Sequence, residues 1–435
     1  MTPTAMSIIL SISALTIITA AAVLSGCASK NANPADDPAL EPLWSIWESG
    51  NIEEAERRAK PPAIQSETHN QAAFILTLVS HVKGKYSESI EYFNEVEAGY
   101  PYIRLLYEPV LWSYIHSGRY EEAYAFAKKH SMGTVAQKRI RRAVDHPMSV
   151  SADTTQIIPF SDDALTPVMP GFAVSVNGHP QTARLDTGGS YIHVTVETAR
   201  LLGIQPSGVR ERAFAGLALS KLDYANADLS IGNIELKNVP VIIHSSGLPA
   251  QQLSKMFGVE LGPVIGTNVL QQFLTTVDPL NGRLILSPRG NDEERSRHFA
   301  LLGAQGTAVP FYMLNSHFLL AKGNVDGRKK PLFIDSGLVV IDGDGKQASF
   351  LASSGRLASW NASRDTEDGF PVVSGSAGIE GLELPNRIAY PVPVQMWQQF
   401  GDWNGLDVEA LLSWGYLKDY IWTLDFENRQ FYFIR

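Results

Sequence analysis

Two periodicities divide the chain. From Leu43 to about Val144 apolar residues recur at helical spacing. Inside that stretch lies a longer period: Gly50-x-Ile52-x-x-Ala55, Gly84-x-Tyr86-x-x-Ser89 and Gly118-x-Tyr120-x-x-Ala123, with successive glycines 34 residues apart. Trp44, Trp47, Trp112 and Tyr114 sit at helical spacing and are expected in the core of this part. After Pro170 the texture changes to short β runs broken by turn residues, such as Gly171–Val176, Ala227–Ile231 and Val239–Ile243. Two helices are predicted among them, Thr195–Leu202 ending at Gly203, and Thr267–Phe273. Asp145–Pro170, with His146-Pro147, Pro159 and Pro167, is expected to be a linker and the domain boundary.

The chemistry concentrates in one loop and its copy. Leu185-Asp186-Thr187-Gly188-Gly189-Ser190 is an apolar strand end running into an acid, a hydroxyl and two glycines, the composition of a loop that presents a carboxylate. Phe333-Ile334-Asp335-Ser336-Gly337 follows 149 residues later in matching context. Val176-Asn177-Gly178 precedes the first acid and Val325-Asp326-Gly327 the second, each a hairpin turn feeding the acid-bearing strand. Val264-Ile265-Gly266 aligns with Leu411-Leu412-Ser413, and Thr276-Val277-Asp278 with Thr423-Leu424-Asp425. Landmarks in one order at nearly one offset imply an internal duplication of about 150 residues.

An Asp-(Thr/Ser)-Gly element, a hairpin-rich stretch, then apolar-apolar-Gly before a short helix resembles the retropepsin and pepsin aspartic proteases, here as two retropepsin-like units over residues 157–435. The resemblance implies a bilobal, mainly β fold with one catalytic acid per lobe, Asp186 and Asp335, supported by Thr187, Gly188, Ser336 and Gly337. It also implies a β-hairpin flap over each half: Phe214–Leu219 with Gly216 near the tip in the first lobe, and Phe370–Gly378 with Ser374-Gly375-Ser376 at the tip in the second. Leu338, where the family has a small residue, and Ser413, where the first copy keeps Gly266, depart from the pattern. The 34-residue period resembles tetratricopeptide repeats, which implies a concave face for a protein partner or a rigid spacer.

The expected fold class is therefore multidomain, an all-α helical-repeat part followed by a bilobal retropepsin/pepsin-like double barrel. Its boundaries are a signal segment at 1–26, a tether at 27–42, repeats at 43–144, a linker at 145–170, and lobes at 157–290 and 291–435.

Net charge of −9 and the lack of basic runs exclude a nucleic-acid binder, and 44% hydrophobic content is ordinary for a globular chain. Ten histidines without clustered spacing give no metal motif, and neither a nucleophilic serine elbow nor a second cysteine offers another hydrolytic chemistry. The lone Cys27 follows an apolar run from about Ile8 and Leu24-Ser25-Gly26, which resembles the lipobox of a bacterial lipoprotein. That resemblance implies a lipid anchor on Cys27 and a place in the cell envelope, at the outer membrane facing the periplasm. The function expected is a membrane-anchored aspartic endopeptidase acting on polypeptides without cofactor or metal. The alternative is a non-catalytic relative that binds peptides or a partner protein.

Overall fold

The computed structural model describes residues 33–435 apart from 61–67, 216–217, 246–249, 304–305, 343–344, 361, 364–368, 395–396 and 398–404. The expected signal segment at 1–26 and Cys27 lie outside the described residues.

Among the described residues seven α-helices form the N-terminal part: α1 (Glu41–Glu48), α2 (Ile52–Ala59), α3 (His69–Val82), α4 (Tyr86–Glu95), α5 (Tyr107–His116), α6 (Tyr120–Lys129) and α7 (Thr134–Asp145). The 34-residue period has a geometric cause. Gly50, Gly84 and Gly118 all have left-handed φ, +77°, +73° and +73°, and each ends a helix. The amide after each glycine donates to a carbonyl five residues back, Lys85 N to Ser80 O at 2.8 Å and Arg119 N to Tyr114 O at 2.9 Å, which reverses the chain into the next helix. The small residue five places on, Ala55, Ser89 or Ala123, is completely buried where the next helix crosses. Trp44, Trp47 and Trp112 are buried, and Tyr114 packs against the cluster that holds Trp44 and Trp47.

The rest of the chain is two lobes with one topology. The first contains β1 (Ser149–Ser151), β2 (Gln156–Pro159), β3 (Gly171–Val176), β4 (His179–Asp186), β5 (Ile192–Thr195), β6 (Arg210–Ala215), β7 (Ala218–Ile231), β8 (Ile234–His244), β9 (Val264–Gly266), β10 (Phe273–Asp278) and β11 (Arg283–Pro288). The second contains β12 (Thr307–Leu314), β13 (Phe318–Val325), β14 (Arg328–Ile334), β15 (Phe350–Ser353), β16 (Ala362–Ser363), β17 (Val372–Ile379), β18 (Leu384–Val392), β19 (Ala410–Leu412), β20 (Ile421–Asp425) and β21 (Gln430–Ile434). The pairings around the acid loops recur in both lobes. The acid-bearing strand pairs in parallel with the apolar-apolar-(Gly/Ser) strand, β4 with β9 and β14 with β19. Parallel β5–β8 matches β15–β18, and the β6–β7 hairpin matches β16–β17. The hairpins before the acids turn on Asn177-Gly178 and Asp326-Gly327, all four with positive φ, the geometry that suits the right-handed twist of the strands.

The lobes join through a six-stranded platform in the order β2-β11-β10-β20-β21-β12. At its centre Thr276 faces Thr423 across the β10–β20 pair, their buried hydroxyls 2.5 Å apart. Because β2 belongs to this platform and β1 pairs with β8, the stretch 145–170 is not a free linker. Its apolar Ile157-Ile158 and Val150 supply strand positions that its prolines had masked.

The helices are fixed most closely to the second lobe. A Cβ on Gly405 would lie 2.1 Å from Trp44, one on Gly50 2.1 Å from Pro331, and one on Gly84 2.2 Å from the guanidinium of Arg429. One apolar cluster runs from Trp47 and Phe74 in the helices into Phe333, Leu338 and Leu411 of the second lobe. Among the described residues no helix is long and apolar enough to cross a membrane.

Candidate active site

Each acid stands where an apolar strand stops. Leu185 and Ile334 are buried in the lobe cores, and the following Asp186 and Asp335 emerge at the lobe interface, both completely buried. Asp186 is level with Gly266 of β9, and the Asp335 amide donates to Leu412 O at 2.9 Å.

The two loops are tied by exchanged hydrogen bonds. Thr187 N donates to Ser336 Oγ at 2.9 Å, and Ser336 N donates to Thr187 Oγ1 at 2.9 Å. The Thr187 hydroxyl in turn donates to Ile334 O at 3.1 Å. Gly188 N donates to Asp186 Oδ1 at 2.8 Å and Gly337 N to Asp335 Oδ1 at 3.1 Å, so each carboxylate is oriented by its own loop. Each then lies against the other loop's glycine. A Cβ on Gly188 would stand 2.5 Å from the Asp335 carboxylate, and one on Gly337 2.2 Å from that of Asp186. Gly188 therefore has one acid on its amide and the other beside its α-carbon, and any side chain there would drive the pair apart.

The departures in the second lobe have local explanations. Gly266 is required in the first lobe because a Cβ would fall 2.4 Å from the Gly189 carbonyl carbon and oxygen. In the second lobe Gly337 is thirteen residues from β15, whereas Gly188 is only four from β5. The longer connection moves the close approach to Gly415, where a Cβ would meet Ala348 O at 2.3 Å. Ser413 is thereby accommodated. It caps the following short helix through Gly415 N at 3.0 Å and donates to Ala348 O at 2.5 Å. Leu338 packs into the apolar cluster shared with the helices.

Three histidines flank the acids, a feature the scattered histidine spacing did not reveal. Ser190 N donates to His193 Nε2 at 3.2 Å, which leaves the proton on Nδ1 for His244 Nε2, 2.9 Å away. His317 donates through Nε2 to Gly188 O at 3.0 Å. Burial pushes all three imidazoles down, His244 and His317 to about 3 and His193 well below its ordinary value. They are neutral hydrogen-bonding struts at ordinary pH. The available signal was the alternation Tyr191-Ile192-His193-Val194, which places His193 on the strand face opposite the core.

Of the flap residues, Phe214 pairs with Leu219 in the β6–β7 hairpin, whose last pair is Ala215 with Ala218; Gly216 lies outside the described residues. Ser374 and Gly375 form no tip. They sit within β17 at a bulge, where the pairing with β18 shifts between Val373 and Ser376. A Cβ on Gly375 would lie 2.7 Å from Asp326 Oδ1, so the bulge packs on the β13–β14 turn. The counterpart of the first hairpin is β16–β17, whose connection includes 364–368 outside the described residues. Glycine and serine suit a bulge as well as a turn, which is why composition misplaced it. Among the described residues no three His, Cys, Asp or Glu side chains are placed to hold a metal ion together.

Comparison with known proteins bears on the first lobe. Residues 172–272 match the family described as gag-polyprotein putative aspartyl protease, a stretch that contains Asp186 and Gly266. A retropepsin-like aspartic protease from Rickettsia conorii is a structural match at 21% identity, covering 33% of this chain and 94% of that one with a TM-score of 0.22. No curated protein matches. The first lobe is thus similar in sequence to the gag-polyprotein putative aspartyl proteases over the segment that carries Asp186, its loop glycines and the Val264–Gly266 strand.

Proposed function

We propose that the chain is an aspartic endopeptidase whose dyad is Asp186 and Asp335, one acid from each lobe. The observation that carries this is the reciprocal packing of each carboxylate on the other loop's glycine, held by the Thr187–Ser336 exchange. Two acids brought together this way cannot both ionise without strong repulsion, so the pair shares a proton. The ionised member takes a proton from a water as it attacks the scissile carbonyl, and the protonated member donates to the carbonyl oxygen as charge builds there. The amides of Gly188 and Gly337 hold the carboxylates in register, and neutral His317 braces the Gly188 peptide.

The chain would act at the cell envelope through a lipid on Cys27, a reading supported by Leu24-Ser25-Gly26-Cys27. Its helical part is read as tetratricopeptide-like from the three 34-residue periods.

The test is cleavage of a mixed peptide library by the wild type, Asp186→Asn and Asp335→Asn. Both variants should lose all cleavage while keeping the wild-type far-UV spectrum. Activity surviving in Asp335→Asn would assign the chemistry to a pair of Asp186 loops from two chains. Binding of peptides by a wild type that never cuts them would favour the non-catalytic alternative.

A further inference from the structure

The first-lobe sheet has a face turned away from its core. Cα partners Tyr224, Ile242, His193, Val264 and Arg184 make one row across β7, β8, β5, β9 and β4, and Asp186 shares that face two residues beyond Arg184. Their neighbours Leu185, Ile192, Val241, Ile243 and Ile265 point the other way, into the core. A substrate must reach this outer face to meet Asp186.

Helices α5 and α7 are seated on its Tyr224–Ile242 end, while Leu165, Met169 and Val339 cover Val264 and Asp163 pairs with Arg184. The Arg139 guanidinium of α7 lies over the Tyr224 ring, 4.2 Å from its centroid, and 3.7 Å from Glu211 of β6. Glu211 also accepts from the Tyr224 hydroxyl, and Arg142 donates to the Asn226 side chain. One helix therefore grips both strands of the hairpin leading to Gly216. Beside this grip, Trp112 and Ile140 face Tyr191, the residue that follows the acid loop, across a pocket of about 120 Å³. At the other edge His116 of α5 donates to Asn315 O at 3.1 Å, two residues before the His317 that holds Gly188. Both acids have no exposed surface.

The two docking surfaces differ in kind. Against the second lobe the helices interlock backbone to side chain at Gly50, Gly84 and Gly405 within a continuous apolar cluster. Against the first lobe the contact is a set of arginine-centred polar bonds and Val135 packed on Leu222, Tyr224 and Ile242, beside an incompletely filled pocket. The first-lobe contact is the one that can open while the second holds.

We propose that the helical part is a built-in inhibitory cover: α5–α7 occupy the first-lobe face that a polypeptide needs, and α7 latches the β6–β7 hairpin shut through Arg139 until it is displaced. This rests on the protease reading for its consequence, though the cover itself can be measured without it.

The test uses the whole chain and two readouts. Carbodiimide with glycine ethyl ester labels accessible carboxylates, and peptide mass mapping locates the label. Asp186 and Asp335 should stay unlabelled in the wild type under conditions that label exposed Asp153. Arg139→Glu should raise labelling of both acids, and cleavage of the peptide library, by about tenfold or more. Arg139→Lys, which keeps the charge, should stay near wild type. Asn226→Ala removes the Arg142 contact from the lobe side and serves if Arg139→Glu does not fold. Labelling that rises without any cleavage would keep the cover and sink the protease reading. Wild-type acids labelled as readily as Asp153, or labelling and cleavage unchanged in folded Arg139→Glu and Asn226→Ala, would overturn the cover.

Discussion

Thr187 and Ser336 each donate a backbone amide to the other's hydroxyl, both at 2.9 Å, so neither acid loop can hold its shape without the other. Replacing Thr187 by Val strands the Ser336 amide in a buried site and removes the donor to Ile334 O. The cost should be about 1–3 kcal/mol in urea unfolding, with peptide cleavage lost. A Thr187→Ser variant, which keeps the oxygen, should recover most of both. A Val variant as stable as the wild type would mean the exchange does not hold the lobes together.

Gly266 and Ser413 occupy equivalent strand ends but should respond oppositely. Gly266→Ala forces a methyl onto the Gly189 carbonyl at 2.4 Å, and backbone must move, so a loss of about 2–3 kcal/mol is expected. Ser413→Gly removes only a cap and one hydroxyl bond, a loss of about 1 kcal/mol. Equal losses in denaturant titrations would contradict the shifted approach at Gly415.

The repeat glycines also separate. Gly118 has open space around its would-be Cβ, whereas the Gly84 position is filled by the Arg429 guanidinium. Ala at either site meets the same left-handed strain, about 1 kcal/mol. Gly84→Ala should lose more than Gly118→Ala because it also lifts Arg429 off Tyr86, and thermal melts of the two variants would show whether the order holds.

Acid should weaken the fold from pH 6.5 downward. Burial holds His116, His244 and His317 near 3 and His298 near 4, whereas in the unfolded chain they titrate near 6.5. Below pH 6.5 the unfolded state therefore binds protons that the folded state refuses, and stability falls until the folded values are reached. By pH 4 each fully buried imidazole should cost on the order of 1–3 kcal/mol. Below about pH 4.5 Glu56 adds to the loss; burial would raise its pKa, but hydrogen bonds from Lys60 and Lys83 outweigh that and hold it at about 2. Urea midpoints that do not move between pH 7 and 4 would refute this, and His244→Phe should flatten the slope.

Much of this was legible from residues alone because duplication makes each half a control on the other. Asp186 and Asp335 could be paired by offset, and their hairpin turns and closing strands fell at matching places. What escaped depends on contacts far apart in sequence. Ser374-Gly375 suits a turn or a bulge, and only the packing on Asp326 decides between them. His193, His244 and His317 are ordinary strand residues until the fold gathers them around the acid loops. Ile157-Ile158 became a strand because β11 offered an open edge, which no local pattern of residues 145–170 announces.

The connection from Gly337 to β15 has no counterpart of its length after Gly188, and Leu338 and Val340 from it are buried in the cluster shared with the helices. In a protein built from two identical chains any such insertion would appear twice and the site would look the same from either end. Here a single continuous chain confines it to one half. The two acids therefore live in unequal surroundings, and on the proposed reading a polypeptide would meet a site with a front and a back, able to distinguish one direction of reading from the other.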